Sequence, residues 1–193
     1  MRRTIREASR STLIGAAGLI AAAGRGERLR SPGNKAFYPL SGRPLVLYAL
    51  EAMRASRALE EIILILAAED TERARRSLLQ PGPSHSERTV AGGDSRQASV
   101  SAGLAEVTPS CDLVLIHDGA RPFLKPQLVH RCLEAAAAHG AAVAAVPATD
   151  TVKEVAPDGV VTASLDRSRL WLVQTPQAFR RDLLLEAHEA AAR

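Results

Sequence analysis

The 193 residues suffice for one α/β domain with a buried core and no covalent staples. At 46% hydrophobic and 24% charged, the composition is neither that of a disordered tail nor that of a membrane bundle. The net charge of +4 is spread over scattered Arg residues, and 3% aromatic content leaves little to stack on bases, which excludes nucleic acid and favours small anionic ligands.

The N-terminus places basic MRRTIREASR before a small, apolar run whose Ala21-Ala22-Ala23 has the look of an export cleavage site. Gly15 and Gly18 interrupt that run, and the loop that follows requires it as a strand. Residues 1–15 are therefore read as a loose basic extension and 16–193 as a single domain. No apolar stretch reaches the roughly 20 residues of a membrane span. Cys111 and Cys132, with no CxxC and no metal-ligand spacing, read as reduced core thiols of a cytoplasmic protein.

Residues 18–22 and 61–68 are short, wholly apolar runs of the kind found in buried parallel strands. Between them 44–56 has helical period, with Pro44 as its first residue. Asp70 is placed as the cap of a helix reaching about residue 80, before the turn-rich PGPSHS. A strand over 88–93, a helix over 96–107 and a strand over 113–118 follow. The spacing then predicts a helix over 125–139 closed by Gly140, and a strand over 141–148. Residues 151–155 and 160–166 alternate around Pro157-Asp158-Gly159 as an antiparallel hairpin, too exposed to be stable alone. Residues 170–179 return to the sheet and 182–193 form a last helix. This rhythm implies a three-layer α/β sandwich around a mostly parallel, twisted sheet.

Ligands of such sheets gather at the carboxyl ends of the strands. Here those ends are residues 22–35, 92–99, 117–122, 149–153 and 174–177, each polar or Gly-rich. In the first loop Gly24-Arg25-Gly26 starts like a dinucleotide fingerprint, but Leu29 occupies the third glycine position, and no GxxxxGK[ST] occurs. What remains is A-A-G-x-G-x-R with Lys35 seven residues after Arg28. Small residues let backbone N–H groups approach phosphate oxygens, and the two cations flank them. His117 has no G-x-S-x-G partner and reads as a hydrogen-bonding residue rather than a base.

Five ordered motifs, AAGRGERLRSPGNK, GGDSRQASVSAGL, HDGARP, DTVK and QTPQAF, together resemble the 2-C-methyl-D-erythritol 4-phosphate cytidylyltransferase family from about Gly18 to His188. The resemblance implies a nucleotide-diphospho-sugar transferase-like fold with a protruding β-hairpin dimerisation arm. It implies transfer of CMP from CTP to a sugar-alcohol phosphate with Mg²⁺, in non-mevalonate isoprenoid biosynthesis. Ala22, Ala23, Gly24 and Gly26 would hold the triphosphate, and Arg28 and Lys35 the transition state. Gly93, Asp94 and Ser99 match the cytosine and ribose contacts, with Gly119 beside the nucleotide. Asp118, which is also the carboxylate nearest the metal, Arg121 and Thr175 match the acceptor side. Thr151 and Arg167 match hairpin residues that reach the neighbour's site in a homodimer, Arg167 as a catalytic cation.

Three departures stand beside the likeness. The family's Pro-Lys-Gln is Asn34-Lys35-Ala36 here, and its Asp-Ala-Ala-Arg is Asp118-Gly119-Ala120-Arg121. The family also continues with an acidic Thr-Asp segment and a strand carrying an acceptor-positioning Lys, which this sequence does not contain. The last helix has no Gly stop, which points to a missing C-terminal strand and helix. The rival readings are a ribitol 5-phosphate cytidylyltransferase and a non-catalytic nucleotide-binding module.

Overall fold

The computed structural model describes residues 15–24, 34–82 and 85–191. Of the expected N-terminal extension only Gly15 is among them, and it already belongs to the first strand. In chain order the elements are β1 (Gly15–Ala22), β2 (Pro39–Leu40), β3 (Arg43–Pro44), α1 (Leu45–Ser56), β4 (Glu61–Leu66) and α2 (Ala68–Ser77). Next come β5 (Ser86–Ala91), α3 (Arg96–Ala105), β6 (Cys111–Asp118), α4 (Pro126–His139) and β7 (Ala141–Pro147). The small strands β8 (Lys153–Val155) and β9 (Val161–Ser164) precede β10 (Trp171–Arg180) and α5 (Arg181–Ala191).

The main sheet has the order β5-β4-β1-β6-β10-β7. β5, β4, β1 and β6 are mutually parallel, and β10 inserts antiparallel between β6 and β7. Strand alternation sorts the core onto two faces. Ile20, Ile62, Leu64, Leu66 and Leu115 pack with Val46, Leu50 and Met53 of α1 and with Val129 and Leu133 of α4. Leu19, Ile63, Ile65, Val114 and Ile116 pack with Val100 and Leu104 of α3 and with Leu184 of α5. The result is a helix–sheet–helix sandwich, as the alternating sequence pattern predicts.

β4 shows why the centre is firm. All six of its residues are buried, and each large aliphatic side chain so placed contributes about 1.5–3 kcal/mol. β7, at the sheet edge, is half exposed along its length. The helix ends follow local chemistry. Pro126 opens α4, and Gly140 closes it at φ 88, a conformation other residues avoid.

Two expected helix starts differ. Pro44 lies just before α1 and pairs with Pro39 in the β2–β3 ladder. α2 begins at Ala68, so Asp70 sits in its first turn, where its carboxylate accepts from Asn34 instead of capping. The hairpin forms as read, with β8 and β9 antiparallel and Gly159 at the turn.

Candidate functional site

The chain reverses direction across the sheet at β1. It runs outward through β4 and β5, then returns to place β6 on the other side of β1. Such a switch point opens a crevice at the carboxyl ends of the strands. A cavity of about 1130 Å³ lies there, lined by Ala22 at the end of β1 with Ala23 and Gly24 beyond it, Gly93 and Asp94 after β5, Ser99 of α3, and Asp118 at the end of β6 with Arg121 beyond it. Lys35 and Arg96 also face it.

Lys35 is held from below by its neighbour. The Asn34 amide donates to Ala22 O at 2.8 Å and to Asp70 Oδ2 at 2.9 Å, while its Oδ1 accepts from Ala36 N–H at 2.9 Å. One side chain thus ties the short 3₁₀ turn carrying Lys35 to the end of β1 and to α2. In the sequence Asn34 stands out only as a departure from a family pattern. The legible signal was an Asn placed to cap a turn.

The opposite wall is built at the end of β6. Gly119 N–H donates to Ala21 O at 2.9 Å, and a Cβ there would lie 2.9 Å from that of Ala22. Only glycine lets β6 turn so close to β1. Gly119 itself sits beneath the cavity rather than on its lining. Asp118 then projects between two guanidinium groups, Arg96 at 3.2 Å and Arg121 at 3.0 Å. All three side chains are partly exposed, and ion pairs of that kind are worth about 1 kcal/mol or less. They orient the carboxylate without locking it against a ligand. Arg96 was not singled out in the sequence. It is distant in the chain, and only the fold brings the first turn of α3 opposite β6.

Arg121 divides two cavities. Beyond it a second space of about 930 Å³ is lined by His117, Thr175, Gln174, and apolar residues of α4 and β7. Arg121 reaches across to donate to Gln174 Oε1. His117 is buried, with Nε2 3.1 Å from Arg121 O and Nδ1 3.0 Å from Thr175 Oγ1. Burial pushes its imidazolium below the ordinary range, ahead of the smaller effects of its neighbours.

Ser99 is buried and its hydroxyl donates to Gly93 O at 3.1 Å, so it shapes the loop it was expected to share. The expected residues Gly26 and Arg28 lie outside the described residues. Thr151 and Arg167 line neither cavity of their own chain. Arg167 instead donates to Thr149 O at 3.0 Å. Among the described residues no cluster of three or more metal-ligating side chains forms, and no helix is long and apolar enough to cross a membrane.

The sequence profile of the 2-C-methyl-D-erythritol 4-phosphate cytidylyltransferases matches residues 16–193. The chain belongs to this family. It is 43% identical to the 2-C-methyl-D-erythritol 4-phosphate cytidylyltransferase of Pelotomaculum thermopropionicum, across 91% of this chain and 74% of that relative. Among solved structures it resembles the 4-diphosphocytidyl-2C-methyl-D-erythritol synthase of Anaerococcus prevotii, with TM-score 0.82 and 28% identity over 93% of this chain and 77% of the other. It also resembles the Thermus thermophilus cytidylyltransferase, with TM-score 0.71 and 36% identity over the same shares. Of the residues quoted for the likeness in the sequence, Ala22, Ala23, Gly24, Lys35, Gly93, Asp94, Ser99, Asp118 and Arg121 line the crevice.

Proposed function

We propose that the protein transfers CMP from CTP to 2-C-methyl-D-erythritol 4-phosphate and releases pyrophosphate, a step of non-mevalonate isoprenoid biosynthesis. The observation that carries this reading is the meeting of two cavities at Arg121, with Lys35, Arg96 and Arg121 facing the larger one. An oxygen of the acceptor phosphate attacks the α-phosphorus of CTP. A new P–O bond forms, the bond to the β-phosphate oxygen breaks, and pyrophosphate leaves with that electron pair.

The attacking phosphate monoester has a second pKa of about 6, so it is already largely dianionic near neutrality and no general base is needed. This agrees with His117, whose two ring nitrogens are both engaged within the protein. The obstacle is repulsion between anions. A unit charge pair 4 Å apart at an effective dielectric of 20 is worth about 4 kcal/mol, so cations fixed before the reaction lower the barrier. Lys35 serves the triphosphate side and Arg121 the acceptor side. Arg28, from the first loop, adds to the former by its place in the motif.

Mg²⁺ fits the site as a one-carboxylate ion. It needs oxygen ligands and keeps waters and substrate phosphates around it, and Asp118 presents a weakly held carboxylate at the cavity wall. Bound there, the ion would neutralise phosphate charge. Ala22, Ala23, Gly24 and Gly26 would hold the triphosphate, Gly93, Asp94 and Ser99 the cytidine, and Thr175 the acceptor. Thr151 and Arg167 act on the partner's site of a homodimer. The exposed aliphatic residues of the hairpin, Val155, Val160 and Val161, support that assembly. We place the enzyme in the cytoplasm.

Pyrophosphate release from CTP with Mg²⁺ tests the reading. Release is expected with 2-C-methyl-D-erythritol 4-phosphate and not when ATP replaces CTP. Turnover with ribitol 5-phosphate alone would redirect the acceptor assignment, and silence with both acceptors would leave a nucleotide-binding module.

A further inference from the structure

The β6–β10 ladder is short. It pairs Leu113–Ile116 with Arg180–Gln177 and goes no further. The β10–β7 register also breaks between Val173 and Gln177. Next to the acceptor cavity, 117–121 and 174–176 therefore lie beyond the ladder that joins β6 to β10, although His117 and Asp118 still pair with β1, and side chains hold the two segments together.

Three side-chain links do so among the described hydrogen bonds. Arg121 donates to Gln174 Oε1. Asp118 N–H donates to Thr175 Oγ1 at 3.2 Å. His117 joins Thr175 Oγ1 at 3.0 Å and Arg121 O at 3.1 Å. The Arg121 carbonyl can only accept, so Nε2 carries the proton and donates to it. Nδ1 of the neutral ring is then an acceptor, and its proton comes from the Thr175 hydroxyl. That hydroxyl takes the Asp118 N–H on its oxygen. Every proton in the chain is assigned.

We infer that His117 is a positioning residue for the acceptor half of the reaction, orienting the Thr175 hydroxyl through Nδ1, while the Nε2–H bond to Arg121 O fixes the tautomer. The inference rests on the reading of Thr175 and Arg121 as acceptor-side groups. Its chemical content is specific. The single Thr175 proton is committed to His117, so the hydroxyl meets the acceptor with an oxygen lone pair. That suits a hydroxyl of the polyol rather than an oxygen of the phosphate. Charge for the phosphate comes from Arg121 instead.

Two substitutions separate the bonds. In His117→Asn, Oδ1 occupies the place of Nδ1 and can accept from Thr175, but nothing reaches Arg121 O. In His117→Gln, Nε2 reaches Arg121 O, but Thr175 loses its acceptor. Steady-state kinetics with each substrate varied, together with thermal melting, should show the acceptor KM raised about tenfold in His117→Gln, as loss of one oriented hydrogen bond implies. The CTP KM should stay within about twofold, and His117→Asn should keep an acceptor KM close to that of the wild type. Equal acceptor KM in the two variants, or changes in both KM values that follow the melting temperature, would overturn the inference.

Should either variant fail to fold, nitrogen-15 NMR of the wild-type His117 ring decides. The inference expects Nε2–H with a bare Nδ1 at pH 7, and a shift of the Nδ1 resonance on adding 2-C-methyl-D-erythritol 4-phosphate but not CTP alone. An Nδ1–H tautomer, or no response to saturating acceptor, sinks it. Wild-type chain that releases no pyrophosphate in the parallel assay would instead fail the functional reading, and the tautomer result would still stand by itself.

Discussion

At the level of single residues the proposed mechanism depends on placed positive charge, and Lys35 is the described cation of the first loop. Lys35→Ala should lower kcat by about 10²- to 10³-fold, comparable with losing an oxyanion donor, with only a modest change in CTP KM. Pyrophosphate release under saturating CTP checks this, and near-native turnover would remove Lys35 from its role. Asn34 gives a sharper test because its contribution is purely geometric. Asn34→Asp keeps the shape and the acceptor for Ala36 N–H but turns oxygen toward Ala22 O and the Asp70 carboxylate. Repulsion should swing the Lys35 turn away and reduce kcat at least about tenfold. Asp70→Asn in the same chain restores a donor across the gap, so the double variant should recover much of the loss. A double variant no better than the single one would show that Asn34 does not act through Asp70.

At the level of elements, the clearest dependence lies away from the site. Glu87, on β5, has a fully buried side chain. It accepts from Arg54 of α1 at 2.6 and 2.7 Å, from Gln80 N–H at 2.7 Å, and lies 2.8 Å from His85. Burial alone would push its carboxyl up, yet the hydrogen bonds, led by Arg54, hold it below the ordinary 4.5. Because the folded value is depressed, the stability Glu87 contributes is complete above the unfolded value and disappears as pH falls through the folded one. Glu87→Gln leaves Arg54 without its partner and should cost about 3–5 kcal/mol at pH 7. In urea titrations the gap between wild type and variant should shrink on acidification below about pH 4.5. A gap independent of pH would mean the pair is not charged in the folded protein. Elements were legible where composition is one-sided. The apolar run of β4 and the Pro126 and Gly140 bounds of α4 are local signals. Asp70 was misjudged because an acidic residue near a helix start caps or merely sits in the first turn, and the choice falls to a distant partner, Asn34. Likewise Lys35, Asp118 and Arg121 stood out as motif residues, whereas Arg96 and the His117–Thr175 link depend on strand order that no local pattern encodes.

At the scale of the whole molecule the unresolved demand is the hairpin. β8 and β9 pair only with each other, and an isolated two-stranded ribbon is marginal in water. Yet Val155, Val160 and Val161 are each more than half exposed, with Leu165 at 42%. Aliphatic exposure on so small a ribbon fits burial against a second copy, where Thr151 and Arg167 could reach a site that their own chain does not offer. Mixing two impaired variants tests this without assuming the contact geometry. In Arg167→Ala chains Lys35 is intact, and in Lys35→Ala chains Arg167 is intact. If Arg167 acts across the interface, a mixed dimer has one site with both cations. Equal mixing with free subunit exchange should then restore about a quarter of wild-type turnover, since half the dimers are mixed and one site in each is whole. If Arg167 serves its own chain, no combination of the two variants contains a whole site and mixing restores nothing. Sedimentation of the wild type at twice 20.5 kDa, and at 20.5 kDa for a Val155→Glu, Val161→Glu double variant with unchanged far-UV circular dichroism, would assign the exchange to the hairpin.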